Sequence, residues 1–430
     1  MAGKNSNLGA ARRAKNDEFY TQLTDIEKEL RHYRKHFKDK TVLCNCDDPF
    51  ESNFFKFFVL NFTRLGLKKL IATCYEGSAV AEYRDGKAKP YKAVVTTVHD
   101  TTGDGGVDME DVRNLFELGE NELVELEGDG DFRSEECLAL LDEADIVVTN
   151  PPFSLFREYI AVLMKHQKKF IVVGNMNAIS YKEVFPLIKD NEIWAGCKRF
   201  GGGMNMIQPA STFDASKTKS YSIDEHGNII KNIMGVIWFT NLDIKKRHEE
   251  LILVKKYAGH EDEYPTYDNY DAIEVSKVAN IPLDYPGVMG VPITFLDKYN
   301  PDQFEVLGLT ESNGRGMSAG IWLGGELKPY VKAKAKYARL FVRNKKVATE
   351  DGVRAWLAYW DTRDTSMFCR SSVLKLKSQY EAFCGHPVDS DAFIGALKCA
   401  NVNGLTIRMN DDNVMVSRVD LANETAGMLI

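Results

Sequence analysis

The chain has 430 residues, of which 44% are hydrophobic and 27% charged, and this length predicts two compact units with room for a third, smaller one. It contains no run of about 20 apolar residues, and its polar start lacks the apolar core of a signal peptide, so we expect a cytoplasmic protein without a membrane partner. The formal net charge of −7 excludes a general polyanion binder, whose affinity would come from Lys and Arg spread over its surface.

Residues 1–40 are predicted to form a basic arm followed by an amphipathic helix. Apolar residues recur at helical spacing between Asp25 and Phe37. Arg12 and Arg13 in the arm are candidate contacts to DNA phosphates, because an acidic protein needs local positive charge to hold a nucleic acid. A solvated surface would also account for these charges, so both interpretations stay open.

Residues 41–242 alternate between short apolar runs and helical patterns, which is typical of an α/β fold. The apolar runs are TVLCNC (41–46), KLIATCY (69–75), residues 123–127, DIVVT (145–149), FIVVG (170–174) and VIWFT (236–240). Runs of this length indicate buried strands, and the helices between them predict a Rossmann-like, doubly wound and mostly parallel sheet. Ligands of such sheets bind beyond the carboxyl ends of the strands, so the residues after each run are site candidates.

Acidic residues follow two of these predicted strands and are candidates for holding a cofactor. The candidates are Asp47, Asp48 and Pro49 after the first strand, and Asp129, Asp131 and Phe132 in the turn GDGDF. Carboxylates after the first strand can bind an ammonium group or ribose hydroxyls, and Asp131 can accept a hydrogen bond from an adenine amine. The alternative is that both segments are ordinary turns, which Asp and Gly favour.

The strongest motif is Asn150-Pro151-Pro152-Phe153, directly after the run DIVVT. The two prolines lack N–H donors, so they end the strand in a rigid loop whose carbonyls can serve a ligand. The Asn150 side-chain oxygen and the Pro151 carbonyl would accept the two hydrogens of an exocyclic aromatic amine. This frees the nitrogen lone pair to attack the methyl group of S-adenosylmethionine in line, and positioning supplies much of the rate. Phe153 would stack on the base, unless the motif is only a proline stop beside a core aromatic.

Residues 243–346 lose the alternation and are predicted to form a separate region. Aromatic and proline residues are frequent there, and Tyr264, Tyr267 and Tyr270 serve either stacking or packing. The basic segment KAKAKYARLFVRNKK, residues 332–346, contains Lys336 and Arg339 as candidate DNA contacts. As in the N-terminal arm, a solvated surface is the alternative.

Residues 347–430 are predicted to form a small α+β extension. Three helical patterns precede a hairpin made of LTIRM and NVMVSRV, an arrangement that fits a winged-helix-like unit. The section is mildly acidic, so packing or dimerisation explains it as well as DNA contact does.

No metal site is predicted. The eight cysteines are scattered and include no CxxC pair or Cys/His cluster at metal spacing. We expect them to be reduced thiols.

Long and unusual strings of the chain resemble the EcoRI-type adenine-specific DNA methyltransferases, the EcoRI modification methylase family. The strings are KNDEFYT (15–21), CNCDDPFESNFFKFF (44–58), GLKKLIATCY (66–75), GDGDFRS (128–134), DIVVTNPPFSLFREY (145–159), YKEVFPLIK (181–189) and IPLDYPGVMGVPITFL (281–296). They are spread in order over residues 10–346, so the resemblance is to the family and not merely to a common fold. The loops at 78–111 and 199–231 look divergent, and the section after Val347 extends past the usual end of the family.

The resemblance implies a class I S-adenosylmethionine-dependent methyltransferase fold over residues 41–242, followed by a target-recognition region over 243–346. It implies that Phe19, Tyr20 and Thr21, in the arm and helix of residues 1–40, close over the cofactor.

Asp47 and Asp131 would then contact the cofactor, and Asn150 to Phe153 would hold the target adenine. The partner would be double-stranded DNA, from which the adenine must rotate to reach the active site. The expected activity is site-specific adenine N6 methylation that protects host DNA in a restriction-modification system, or phage DNA. A cognate restriction nuclease would share the site without forming a stable complex.

Two other classes of function stay open. Enzymes that methylate guanine N2 in RNA or glutamine in proteins also use an NPPF or NPPY motif, and a non-catalytic DNA-binding protein could keep the fold. The string DDPFESNFF and the absence of a glycine-rich cofactor loop favour the DNA enzyme over the first class. The intact Asn150, Pro151 and Phe153 argue against the second.

Overall fold

The computed structural model describes residues 19–46, 48–74, 90–208, 213, 220–225, 227–311, 316–318, 320–347, 349–361, 371–384, 387–400, 405–410 and 413–418. The candidate site residues Arg12, Arg13 and Asp47 therefore lie outside the described residues. The chain divides into two compact units, Met1–Lys246 and Arg247–Ile430. None of the described helices is long and apolar enough to cross a membrane.

The first unit contains a large mixed β-sheet. Its eight strands are β2 (Thr41–Cys44), β3 (Lys69–Thr73), β4 (Tyr91–Val95), β5 (Glu122–Glu125), β6 (Ile146–Thr149), β7 (Lys169–Asn175), β8 (Trp194–Ala195) and β12 (Val236–Thr240). They lie in the order β5-β4-β3-β2-β6-β7-β12-β8. All six strands expected from the apolar runs are present, within a few residues of the expected bounds.

The directions of these strands correct one expectation. The neighbours β3-β2, β2-β6 and β6-β7 are parallel, whereas β5-β4, β4-β3, β7-β12 and β12-β8 are antiparallel. The prediction of a mostly parallel sheet is therefore wrong outside the four central strands. An apolar run such as that of β12 shows that a strand is buried on both faces, but it does not show the strand's direction.

The helices of the first unit all bury apolar residues, and those that lie before Leu115 form one core with alternate residues of the central strands. They are α1 (Leu23–Leu30), α2 (Arg34–Phe37), α3 (Asn53–Leu60), α4 (Phe62–Leu65), α5 (Met109–Asn114), α6 (Glu135–Glu143), α7 (Phe156–Lys165) and α8 (Phe185–Lys189). The hydroxyl of Ser52 caps α3 by accepting from the N–H groups of Phe54 and Phe55. Helix α3 starts close behind β2 and so shapes the loop at that strand's carboxyl end.

A second, antiparallel sheet holds the N-terminal segment in place. Its strands are β1 (Tyr20–Thr21), β9 (Met204–Gln208), β10 (Ser222–Ile223) and β11 (Ile229–Ile233), in the order β1-β9-β11-β10. Strand β1 pairs with β9, so that Thr21 lies opposite Met206. The single helix expected from Asp25 to Phe37 is two short helices, α1 and α2, because the chain turns between them.

The second unit has an antiparallel-rich sheet and a short hairpin. The sheet strands are β13 (Ile273–Glu274), β14 (Met289–Pro292), β15 (Phe304–Leu309) and β18 (Arg339–Asn344), and the hairpin strands are β16 (Tyr330–Val331) and β17 (Lys334–Ala335). Tyr264, Tyr267 and Tyr270 are all at most 5% exposed. Of the two roles left open for these tyrosines, the structure supports packing.

The last part of the second unit has its own apolar core. Its elements are α9 (Glu350–Asp361), β19 (Ser371–Ser372), α10 (Val373–Cys384), α11 (Ser390–Cys399), β20 (Leu405–Asn410) and β21 (Asn413–Arg418), with sheet order β19-β21-β20. Trp356, Tyr380 and Phe393 pack against one another at the centre of this core. All described members of this apolar cluster lie between Val353 and Val414.

Candidate active site

The candidate site lies where the order of the parallel strands reverses. Strands β2 and β6 are adjacent and parallel, with Val42 opposite Ile146, although about 100 residues separate them in the chain. The loops that follow Cys44 and Thr149 therefore leave the sheet side by side. The Thr149 hydroxyl donates to the Asn45 carbonyl and ties the two strand ends together.

Asn150 has one end of its side-chain amide satisfied and the other end free. Its Nδ2 donates to the backbone carbonyl of Phe19, just before β1. Its Oδ1 is buried and has no hydrogen-bond partner among the residues that the structure describes. The contact with Phe19 fixes the orientation of the amide, because the opposite orientation would place two oxygens against each other. Asn150 is thus held as an unused hydrogen-bond acceptor.

The two prolines after Asn150 differ in what their carbonyls do. The Pro152 carbonyl accepts from the Leu155 N–H at 2.9 Å and starts the 3-10 turn Phe153–Leu155 that precedes α7. No hydrogen bond from the described part of the chain reaches the carbonyl of Pro151. The carbonyl of Pro151, which the sequence predicted as the second acceptor, is therefore open to a ligand as far as the described chain is concerned, whereas the carbonyl of Pro152 is used by the loop itself. Phe153 is half-buried and packs against the core of the first unit.

The segment Phe19, Tyr20 and Thr21 lies beside Asn150 through the same Phe19 carbonyl. Phe19 and Tyr20 are half-buried, and Thr21 is 2% exposed. The Thr21 carbonyl accepts from Asn53 Nδ2 at 2.8 Å, so the first turn of α3 also holds this strand. The Thr21 hydroxyl oxygen is buried, and within the described part of the chain it has no hydrogen-bond partner. Asn150 Oδ1 and the Thr21 hydroxyl oxygen, two buried polar atoms without described partners, therefore both belong to the place where Phe19 contacts Asn150.

Asp48 and Pro49 are buried in the loop after β2. The Asp48 carboxylate accepts from the Phe50 N–H at 2.9 Å and from the Tyr91 hydroxyl at 2.9 Å. These bonds connect the loop to β4. In this structure Asp48 stabilises the shape of the loop and is not poised as an open ligand.

The turn after β5 contains one carboxylate that is already charged and partly open to solvent. Asp131 accepts two hydrogen bonds from the Arg133 side chain, at 2.8 and 2.6 Å. These bonds hold the pKa of the Asp131 carboxyl below its ordinary value. Asp129 is exposed, and its carboxylate accepts from the Asp131 N–H at 3.0 Å.

Phe132 and Tyr159 join this turn to the rest of the site. Phe132 is 5% exposed and meets the Tyr159 ring edge-on at 5.0 Å. The Tyr159 hydroxyl, on α7, donates to the side-chain oxygen of buried Asn45. One contact chain therefore links the loop after β2, the turn after β5 and the helix behind Pro152.

Asn45, Asn53 and Tyr159 were not predicted as site residues. Each lies in a string that matches the family, but an Asn or Tyr in a loop or helix near a strand end has no pattern that distinguishes it from a structural residue. Only the three-dimensional contacts identify them.

The two described candidates for DNA contact differ in exposure. Lys336 is half-exposed, and no described carboxylate pairs with it. Arg339 is 7% exposed, and its Nη2 and Nε donate to the Glu274 carboxylate at 2.6 and 3.0 Å. The expectation of a phosphate contact by Arg339 does not fit this position, because its charge is already neutralised inside the second unit.

A protein-family model described as adenine-specific methyltransferase EcoRI matches residues 7–348. The chain is 46% identical to the Type II methyltransferase M.EcoRI of Escherichia coli over 343 residues, which are 80% of this chain and 98% of that protein. It is 39% identical to the Type II methyltransferase M.MpnI of Mycoplasma pneumoniae over 69% of this chain and 83% of that protein.

A third relative is the Type II methyltransferase M.MgeORF184P of Mycoplasma genitalium, 36% identical over 69% of this chain and 84% of that protein. No solved structure matches the chain significantly. The residues after 348 lie outside the family match.

Proposed function

The chain belongs to the EcoRI family of adenine-specific methyltransferases, and from this premise we propose that it transfers a methyl group from S-adenosylmethionine to the N6 amine of an adenine extruded from duplex DNA. The observation that carries this proposal is the buried and unpartnered Oδ1 of Asn150 beside the free carbonyl of Pro151. A buried acceptor without a donor is costly, so a site that keeps one is built for a ligand that donates.

The amine of adenine is a weak nucleophile because its lone pair is delocalised into the ring. Asn150 Oδ1 and the Pro151 carbonyl accept its two hydrogens and draw the nitrogen toward tetrahedral geometry. The lone pair then becomes available in the direction away from the two acceptors. The amide of Asn150 takes up no proton, so the proton leaves to water after transfer.

S-adenosylmethionine supplies the methyl group as an electrophile, since its sulfonium accepts the electron pair of the breaking carbon–sulfur bond. The residues around Asn150 fit such a group. The buried Thr21 hydroxyl has no partner among the described residues, and it lies two residues after the Phe19 carbonyl that orients Asn150. We assign Phe19, Tyr20 and Thr21 to the methionine end of the cofactor.

We assign the turn after β5 to the adenosine end of the cofactor. Asp131 stays ionised and is partly exposed, so it can accept a hydrogen bond from the adenine amine or a ribose hydroxyl. Phe132 provides an apolar surface beside Asp131, and the exposed Asp129 lies at the solvent side of the proposed adenosine site. Asp48 and Pro49 shape the wall formed by the loop after β2, and Asp47 in the same loop stays a proposed ligand.

We further propose the class I methyltransferase fold for the first unit. In its large sheet the antiparallel strand β12 lies between β7 and β8, and the order reverses between β2 and β6. Both features support that fold, with residues 41–242 as catalytic domain and residues 1–40 as the arm and helix over the cofactor. The boundary between the compact units, after Lys246, supports a recognition region that begins near residue 243.

The extension after residue 347 is proposed to be a winged-helix-like unit. Its chain order is helix, strand, helix, helix, strand, strand, and its last strand lies at the centre of the sheet.

The biological role that fits a Type II relative is protection of host or phage DNA at a short site, with any nuclease acting separately. The proposed DNA contacts remain Lys336 and, in the N-terminal arm, Arg12 and Arg13.

The proposal is tested by incubating the protein with methyl-labelled S-adenosylmethionine and duplex DNA of varied sequence. Digestion of the DNA product to nucleosides should show all label in N6-methyl-2′-deoxyadenosine. Parallel reactions with structured RNA and with protein acceptors test the two rival methyltransferase classes. Absence of label in every DNA, with cofactor binding intact, would rule out the proposed activity.

A further inference from the structure

The hairpin β16-β17 in the second unit has an unusual turn. Val331 pairs with Lys334, so Lys332 and Ala333 form a two-residue turn. Both have positive φ, 49° and 59°. Such turns normally carry Asn or Gly, because other side chains are strained in the left-handed region. Strain of this kind persists only where surrounding contacts impose it, and it is concentrated at functional surfaces.

The contacts that impose this turn come from one carboxylate and one amide. The Asp268 carboxylate accepts from the N–H groups of Lys332 at 3.1 Å and Ala333 at 2.8 Å. Asn269 accepts from the Tyr330 N–H at 3.0 Å and donates to the carbonyls of two residues before the hairpin. The hairpin is therefore rigid, although its tip is exposed to solvent.

This rigid hairpin carries positive charge that nothing in the described chain neutralises. Four lysines, and no Asp or Glu, occur between Leu327 and Ala338 in a chain whose net charge is −7. Lys332 and Lys334 are exposed and Lys336 is half-exposed. None of these three forms an ion pair with a described residue. Asp268 lies close by, but its oxygens are used by backbone N–H groups of the turn.

Directly after the hairpin, Tyr337 is 88% exposed, which is rare for a large aromatic side chain. Its backbone is nevertheless fixed from inside the unit. The buried guanidinium of Arg339 donates from Nη1 to the carbonyls of Tyr337 and Ala338, at 3.2 and 3.4 Å. Glu274 holds that guanidinium and is in turn contacted by the Tyr267 hydroxyl.

We propose that the hairpin of residues 330–335, with Lys336 and Tyr337, is a duplex DNA contact surface. Lys332, Lys334 and Lys336 bind backbone phosphates, and the Tyr337 ring enters a groove to contact a base or sugar. Arg339 acts as a positioning residue that holds Tyr337 from below. This inference rests on the proposed function, because it supplies that function with a part of its DNA interface.

The combination of unpaired lysines with an exposed tyrosine favours DNA over a protein as the partner of this surface. A protein interface buries aromatic residues but is depleted in lysine, whereas phosphate contacts are made by Lys and Arg. An exposed aromatic among unpaired lysines is the composition of surfaces that hold nucleic acids. A contact with protein, including a second copy of this chain, is therefore an outcome that the test must be able to reveal.

The lysines are tested by the double variant Lys332→Ala with Lys334→Ala, measured for binding to a methylatable duplex at several salt concentrations. Each lost phosphate contact should lower the slope of log affinity against log salt by about 0.9, so the slope should fall by about 2. The matched control is Lys277→Ala with Lys298→Ala, which removes two exposed lysines elsewhere in the same unit. The control should keep the wild-type slope.

The tyrosine is tested by Tyr337→Ala and Tyr337→Phe on the same duplex. Loss of the ring should weaken DNA binding by at least about 5-fold, because the apolar contact that removes it from water is lost, whereas Phe should bind like the wild type. Cofactor affinity, measured by calorimetry without DNA, should be unchanged in every variant and shows that the fold is intact.

If the wild type transfers methyl groups but the hairpin variants bind DNA with wild-type affinity and slope, the hairpin proposal is overturned while the proposed function stands. The variants could instead lose a concentration-dependent self-association that the wild type shows, while their DNA binding stays unchanged. That result would assign the surface to a second copy of the chain and would also overturn the hairpin proposal. Failure of the wild type to bind or methylate DNA would instead overturn the proposed function.

Discussion

At the scale of single residues, the site is distinguished by hydrogen-bonding capacity that the protein leaves unused. Asn150 Oδ1 and the Thr21 hydroxyl are both buried without partners. Each such group costs about 1–3 kcal/mol of stability compared with a satisfied one. Both belong to the junction between β1 and the carboxyl end of β6, where the Phe19 carbonyl fixes the Asn150 amide. A ligand bound there would recover what folding leaves unsatisfied.

Thr21 provides a test of this interpretation that does not depend on catalysis. The variant Thr21→Val removes only the unpartnered hydroxyl, so the free protein should melt at the wild-type temperature or slightly above it. Its affinity for S-adenosylmethionine should fall by roughly 2- to 10-fold, the value of one ordinary hydrogen bond. Thermal denaturation and calorimetry measure the two effects.

Thr21→Ser is the matched control, because it keeps the hydroxyl and should keep cofactor affinity. A Val variant that binds the cofactor as well as the wild type would show that this hydroxyl does not serve the ligand.

At the scale of secondary structure, the sequence indicated the central strands of the first unit and the edge strand β5, and it missed the short and the more polar strands. The strands β2, β3, β6, β7 and β12 are long apolar runs and were recognised because both of their faces are buried. Strands β9 and β11 carry alternating or polar residues, and β1 and β8 have two residues each, so no periodicity marks them. These missed strands include β1, which directly follows Phe19, the partner of Asn150.

The site residues also divide into those that a local sequence pattern marks and those that depend on contacts distant in the chain. The position of Asn150 and Pro151 directly after a buried strand could be predicted from the apolar run before them, and their role toward an exocyclic amine stays a prediction. The burial of Arg339 could not be predicted, because its partner Glu274 lies 65 residues away in a strand of two residues. The family resemblance was confirmed by the matches over most of the chain.

Gly196, directly after β8, shows how tightly helix α1 packs on the end of the sheet. A Cβ atom at this position would lie 2.3 Å from Glu29 Oε1 and 2.7 Å from the Trp238 Cβ. Glu29 is 2% exposed and accepts from the N–H groups of Cys197 and Lys198, at 2.6 and 2.8 Å, so it cannot move aside without losing both bonds.

Gly196→Ala should therefore destabilise the protein by about 1–3 kcal/mol, the usual cost of overpacking a core. Gly106→Ala is the control, since a Cβ there meets nothing within 4 Å. Chemical denaturation of the two variants measures the difference. Equal stability of the Gly196 and Gly106 variants would mean that α1 is not fixed against β8 in the way described.

At the scale of the whole molecule, the family match and the packing indicate the same boundary. The match ends at residue 348, and every described member of the last apolar cluster lies after that point. The relative from Escherichia coli is covered over 98% of its length without this extension. The last section of this chain is therefore not part of what the family model covers.

A chain that ends at residue 348 should consequently fold and methylate DNA with a rate within about 3-fold of the full chain at saturating DNA. The shortened chain loses the hydrogen bond from the Asp389 N–H to the Lys346 carbonyl. It also loses the ion pair between Lys256 and Asp391. This ion pair is exposed and contributes at most about 1 kcal/mol. A fall in rate of more than about 100-fold, with cofactor affinity retained, would show that the extension takes part in catalysis.

The most direct test of the central claim is a single-turnover measurement of methyl transfer to duplex DNA by the wild type and by Asn150→Ala, with cofactor affinity measured on the same samples. If Asn150 Oδ1 holds the target amine, the variant should transfer the methyl group at least about 100-fold more slowly, as when one preorganised hydrogen-bonding group is removed from an active site. Its affinity for S-adenosylmethionine should remain measurable. Near-native transfer by Asn150→Ala would contradict the account.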